Sequence, residues 1–238
     1  MFYDITYNGK VASQQGIRVK ERPAIPCAKK NIEEIAIPGR DGKLHIDKDT
    51  VDDIEIPVTF IFKCEQENWM KTFRSAKSWL YGKDDKRLKM SDDYGFFYIV
   101  NYVEIEECER EVKEVGVFTA NFHCRGYHYL ESGAMSMTLE NAQYNPYFPC
   151  HPQYRIVGRG KHTLHVNGKS LDVNVIDNVT IDTERKIAFS DDGANRNTNI
   201  TGDYENLYLH SGQNEIILEV PQESYNHETL IIPNWRCI

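Results

Sequence analysis

Only one stretch of this chain, Asn68 to Tyr81, repeats its apolar residues with the period of a helix, and that constrains the fold more than any other feature. Trp69, Met70, Phe73, Ala76, Trp79 and Leu80 recur at helical spacing, while Lys71, Arg74 and Lys77 populate the outer face. Asn68 is placed to cap the start, and Gly82 to end the helix in left-handed backbone. Everywhere else the apolar residues alternate, or cluster in short β-prone runs broken by Gly, Asn and Asp. The expected fold is therefore mainly β with one helix.

The turns punctuate those runs. Asn8-Gly9 and Asn167-Gly168 each supply the two positive-φ residues of a tight type I′ hairpin. Between them, NIEEIAIPGRDGKLHI sets Ile32, Ile35 and Ile37 before a loop and Leu44 and Ile46 after it, with Gly39 and Gly42 giving the loop its conformation and Arg40 and Asp41 at its tip. YGFFYIVNYVEIEE and EVGVFTANFHCRGYHYL form a long pair of strands around a charged tip. Glu104, Glu106, Glu107, Glu109, Glu111 and Glu114 there read as a solvated strand end that resists edge aggregation. From Met135 onward short alternating runs suggest a β-sandwich of about a hundred residues. The expected division is an α+β N-terminal domain, 1–133, and a C-terminal sandwich, 134–238.

Composition removes several classes of function. No apolar run approaches the roughly 20 residues of a membrane-spanning helix, so no membrane insertion is expected. The N-terminus lacks the pattern of a secretory signal, which points to synthesis in a cytoplasm. Six cysteines without a Cys-x-x-Cys pair read as reduced, mostly buried thiols. The net charge is -8 at pH 7, against which a duplex phosphate backbone is repelled rather than gripped.

Candidate chemistry also thins out on inspection. Gly158 to Thr163 lacks the first glycine of a phosphate loop and reads as a hairpin turn. His162 and His165, three apart on a strand, point to opposite faces, and His123 diverges from Cys124 for the same reason. Asp191 to Asn195 lacks calcium-loop spacing and reads as a turn. No nucleophile elbow is present. Catalytic residues, cofactors and metals are all expected to be none.

The loop IPGRDGKL resembles one in the N-terminal domain of phage distal tail proteins, the Dit family of phages with long non-contractile tails. SWLYG followed by RLKMSDDYGFFYIVNYV is similar to that family's helix, link and strand, and VFTANFHCRGYHYL to its closing strand. NAQYNPYFPC through KIAF, with GDYENLYLHSGQNEIILEV, resembles its galectin-like β-sandwich. The resemblance covers nearly the whole chain. It implies a structural protein, not an enzyme: a homo-oligomeric, hexameric ring at the distal end of the tail in the virion. Such a ring joins the tail tube protein to a tail-associated tip or baseplate protein and lets phage DNA through without specific binding. Gly39, Arg40, Asp41 and Gly42 become candidate contacts with a neighbouring subunit or the tube. The competing function is a carbohydrate-binding module for host cell-surface glycans, with Trp235, Tyr204 and Tyr208 as stacking surfaces.

Overall fold

The computed structural model describes residues 3–221 and 228–238, and the chain divides into two compact units, Met1–His128 with Ile238, and Tyr129–Cys237. In the first unit the strands are β1 (Ile5–Tyr7), β2 (Lys10–Val11), β3 (Arg18–Val19), β4 (Lys30–Ala36), β5 (Lys43–Val51) and β6 (Ile54–Lys63). The helix α1 (Trp69–Leu80) follows, then β7 (Arg87–Met90), β8 (Phe96–Ile105), β9 (Glu109–Val112) and β10 (Val115–Leu130), whose last two residues belong to the second unit. The main sheet runs β2-β1-β7-β8-β10-β6-β3, with β9 also on β10. The β4–β5 hairpin is a two-stranded sheet of its own.

The Asn8-Gly9 hairpin forms with φ of 49° and 70°, as the type I′ reading requires. Asn8 then does more than turn the chain. Its amide donates to Trp79 O at 3.1 Å and its carbonyl accepts from the N–H groups of Asp84 and Asp85. This buried amide explains Gly82, where a Cβ would sit 1.8 Å from Asn8 Nδ2. Gly82 is thus a glycine for clearance, not for the left-handed backbone expected of it. Asn68 does not cap α1 either, since its side chain bonds Glu65 and a single 3-10 turn, Gln66–Asn68, leads into the helix.

The aromatic stripe of α1 is core. Trp69 packs on Phe62 at 5.5 Å between ring centroids, Phe73 on Phe118 at 5.4 Å and Trp79 on Phe60 at 6.1 Å. The Trp79 indole N–H donates to Tyr7 O at 2.8 Å, fixing the helix against β1. Met70 departs from the stripe and is exposed. The rings on β6 and β10 that receive the helix alternate with residues turned to the other face. That opposite face carries Glu55, Thr59, Thr119, Asn121 and His123, in the register Glu55↔His123 and Thr59↔Thr119.

In the second unit the strands are β11 (Met137–Thr138), β12 (Ala142–Asn145), β13 (Gln153–Val157), β14 (Gly160–Val166), β15 (Lys169–Val175) and β16 (Asn178–Asp182). They are followed by β17 (Ile187–Phe189), β18 (Ile200–Thr201), β19 (Gly212–Glu219), β20 (Glu228–Ile232) and β21 (Arg236–Cys237). Two antiparallel five-stranded sheets, β11-β20-β13-β16-β17 and β12-β19-β14-β15-β18, close over one core that includes Tyr154, Ile156, Leu164, Val173, Ile181 and Ile231. Gly158 to Thr163 is not a hairpin turn: β13 lies in one sheet and β14 in the other, so the segment carries the chain between layers. The Asn167-Gly168 hairpin forms, pairing Val166 with Lys169.

Candidate functional site

The feature that stands apart from both cores is the β4–β5 hairpin, which projects as an arm. Its register pairs Glu33 with Ile46, Glu34 with His45, Ile35 with Leu44 and Ala36 with Lys43. Directly opposite residues share a face, and so do residues two apart on one strand. One face therefore gathers Ile35, Leu44 and Ile46, rimmed by the Glu33–Lys48 ion pair at 3.0 Å. The other carries Glu34 with Lys43 and His45, and Asp47 with Lys30 at 2.7 Å. Ile35, Ile37, Leu44 and Ile46 are 39%, 38%, 39% and 42% exposed, so an apolar strip of β-branched and leucine side chains faces outward.

The four candidate residues sit at the tip of this arm, all exposed. Gly39 and Gly42 take φ of 77° and 80°, and a Cβ at either would meet nothing within 4 Å. Backbone conformation is thus the whole reason for glycine there. Arg40 N donates to Ile37 O at 3.2 Å, closing the turn.

The arm's base is held tightly. Asp52 N donates to Lys29 O at 2.9 Å, and the returning chain passes so close to β10 that a Cβ on Gly126 would lie 2.1 Å from Asp52 O, 2.8 Å from Ala28 Cβ and 2.9 Å from Val51 Cγ2. An isolated two-stranded hairpin is marginal in water, so this anchorage is what gives the arm a fixed direction of departure.

Other residues singled out in the sequence fall elsewhere. Trp235 is 9% exposed and belongs to the second core, which removes it as a stacking surface for sugars. Tyr204 donates its hydroxyl to Asn197 Oδ1, and Tyr208 stacks on His151 with centroids 4.0 Å apart. His162 is fully buried while His165 is half-buried and pairs with Glu219 at 3.2 Å. Asp192 closes its own turn, accepting from Ser190 Oγ and Ala194 N. Among the described residues, no group of three or more His, Cys, Asp or Glu could hold a metal ion, and no helix is long and apolar enough to cross a membrane. Of the six cysteines only Cys124 and Cys150 are buried, Cys64, Cys108 and Cys237 are half-buried and Cys27 is exposed, a more open set than the spacing suggested.

No protein-family model matches the chain, and no curated protein matches it. Its fold is shared with the crystal structure of SPP1 Dit (gp 19.1), described as a paradigm of the hub adsorption apparatus in phages infecting Gram-positive bacteria. The match has a TM-score of 0.62 at 15% identity and covers 97% of this chain and 98% of that one.

Proposed function

We propose that this chain is a structural subunit of the hub at the distal end of a phage tail. Six copies form a ring that joins the tail tube protein to the tip or baseplate protein, and DNA passes through the opening. The observation that carries the reading is a fold shared almost from end to end with SPP1 Dit, in both units and not in one common module.

Two features of the chain support it. The first is the arm. A closed ring needs a heterologous contact, one face of each copy meeting a different face of the next. An amphipathic hairpin that leaves Ile35, Leu44 and Ile46 in water lowers its free energy by laying that strip on a neighbour, with Gly39, Arg40, Asp41 and Gly42 leading the way. The second is the sheet face turned away from α1. Glu55, Thr59, Thr119, Asn121 and His123 make its middle polar, with no cluster of lysine or arginine there to grip a polyanion sliding past. In this reading residues 1–133 make the ring, residues 134–238 form a galectin-like sandwich that meets the tip proteins, and the protein works by fit rather than by turnover.

Negative-stain microscopy and sedimentation velocity of the full chain test the proposal. Six-fold rings are expected. Ile35→Asp combined with Leu44→Asp should leave monomers whose melting temperature is nearly that of the parent, because both side chains are exposed in the single copy. A chain that stays monomeric at its highest soluble concentration, or one that turns over a substrate, overturns the reading.

A further inference from the structure

A peptide in which glycine follows Asn or Asp can rearrange without an enzyme, because the unhindered glycine nitrogen can reach the preceding side-chain carbonyl carbon. The chain holds four such peptides: Asn8-Gly9, Asp41-Gly42, Asn167-Gly168 and Asp192-Gly193. The fold treats them differently.

Three are tied down. Asn8 is buried, its amide donates to Trp79 O at 3.1 Å, and its carbonyl accepts from the N–H groups of Asp84 and Asp85 at 2.9 and 3.0 Å. Asn167 donates from Nδ2 to Asn214 Oδ1 at 2.8 Å and accepts at Oδ1 from Glu215 N at 3.0 Å. Asp192 accepts from Ser190 Oγ and from Ala194 N, and the nitrogen that would attack it, Gly193 N, already donates to Ser190 O at 2.8 Å. In each of these, two or more hydrogen bonds must break before the side chain can turn onto the next nitrogen.

Asp41-Gly42 has no such restraint. Both residues are exposed at the tip of the β4–β5 arm. Among the described residues nothing donates to the Asp41 carboxylate, and Gly42 N donates to no acceptor. The space beside Gly42 is empty, since a Cβ there would meet nothing within 4 Å. The strand ladder stops at Ala36↔Lys43, so the tip can change conformation without unpairing the arm.

We propose that Asp41-Gly42 is a self-modification site, at which isoaspartate forms in copies whose arm is free. Gly42 N attacks Cγ of Asp41 in its carboxylic acid form. The proton of the nitrogen and the hydroxyl of the acid leave together as water, and a five-membered succinimide closes. Water then adds to one of the two ring carbonyls. Opening at the side-chain carbonyl restores aspartate, whereas opening at the backbone carbonyl routes the chain through the side chain and lengthens the backbone by one methylene. Nothing is oxidised or reduced, and water is the sole co-reactant. The restriction to free copies rests on the ring reading: a tip seated against a neighbour loses the freedom to close the succinimide, so isoaspartate there records time spent unassembled.

Peptide mapping of the full chain during incubation tests this, with isoaspartyl sites tagged by an isoaspartyl methyltransferase and located by mass spectrometry. The same chain unfolded in urea gives each of the four peptides its own reference rate. Asp41 should keep its unfolded rate to within about threefold, while folding should slow Asn8, Asn167 and Asp192 by roughly tenfold or more, the effect of hydrogen bonds that must first break. Asp41→Glu, whose longer side chain cannot close a five-membered ring, should abolish the signal at that position and leave the other three unchanged. Rings separated from free copies by sedimentation should gain isoaspartate at Asp41 more slowly than the free copies do. If folding protects Asp41 as strongly as the other three, the proposal is overturned. Equal rates in rings and free copies overturn the restriction to free copies and leave the ring reading standing. If the chain never assembles, the ring reading falls, and the folded-to-unfolded rate ratio at Asp41 still decides the modification.

Discussion

Gly126 shows how a single residue sets geometry at a distance. It stands within β10, where nothing in a β-prone run asks for glycine, and its missing side chain leaves room for the base of the arm. Gly126→Ala should therefore cost about 1–3 kcal/mol, measured by urea unfolding, because the nearest obstruction is the backbone carbonyl of Asp52 and not a side chain that can swing aside. Tyr154, fully buried, donates its hydroxyl to Leu207 O at 2.9 Å, and Tyr154→Phe should cost about 1–3 kcal/mol by leaving that carbonyl unpaired. Burial pushes the thiols of Cys124 and Cys150 up to about 12, so iodoacetamide at pH 8 should modify Cys27 and spare both until the chain unfolds. His128 is held below the ordinary histidine value, chiefly by burial, with Asp93 at 3.9 Å opposing the effect. As pH falls through about 6.5 the unfolded chain takes up that proton before the folded one does, so stability is lost on acidification. The melting temperature should drop between pH 7.5 and 5.5, and His128→Gln should flatten the slope.

At the scale of elements, α1 and the Asn-Gly hairpins were legible because their signals are local: one face of a helix, two positive-φ residues in a row. The ends of α1 were not, because Asn68 and Gly82 have residue types suited to capping but answer to Glu65 and to the distant Asn8. The Gly158 to Thr163 segment misled for a related reason. Glycines announce a turn, but whether the flanking strands pair or separate into two sheets is decided by the partners each finds elsewhere in the chain. The arm is the most instructive case. Ile35, Leu44 and Ile46 gave the alternation that normally signals a buried strand face, and the tip residues Gly39 to Gly42 were visible as a loop; nothing in the spacing says that the face is left open. Replacing residues 32–48 by a short glycine linker should leave α1 and its core intact by circular dichroism and tryptophan fluorescence, while abolishing any assembly of the parent chain.

For the whole molecule, charge and burial act together. A net charge of -8, with a first-unit sheet face that is polar rather than basic, predicts that fluorescence anisotropy with duplex DNA shows no saturable binding at physiological salt. Saturable binding would remove the conduit from the proposed function. The outward isoleucines and leucine of the arm have a different implication. A lone copy is the species with a greasy paddle in solution, so it is also the one prone to clump with whatever it meets first. Yield and purity on expression should then depend on how quickly copies find one another, and dilution, usually a remedy against precipitation, would here prolong the vulnerable stage.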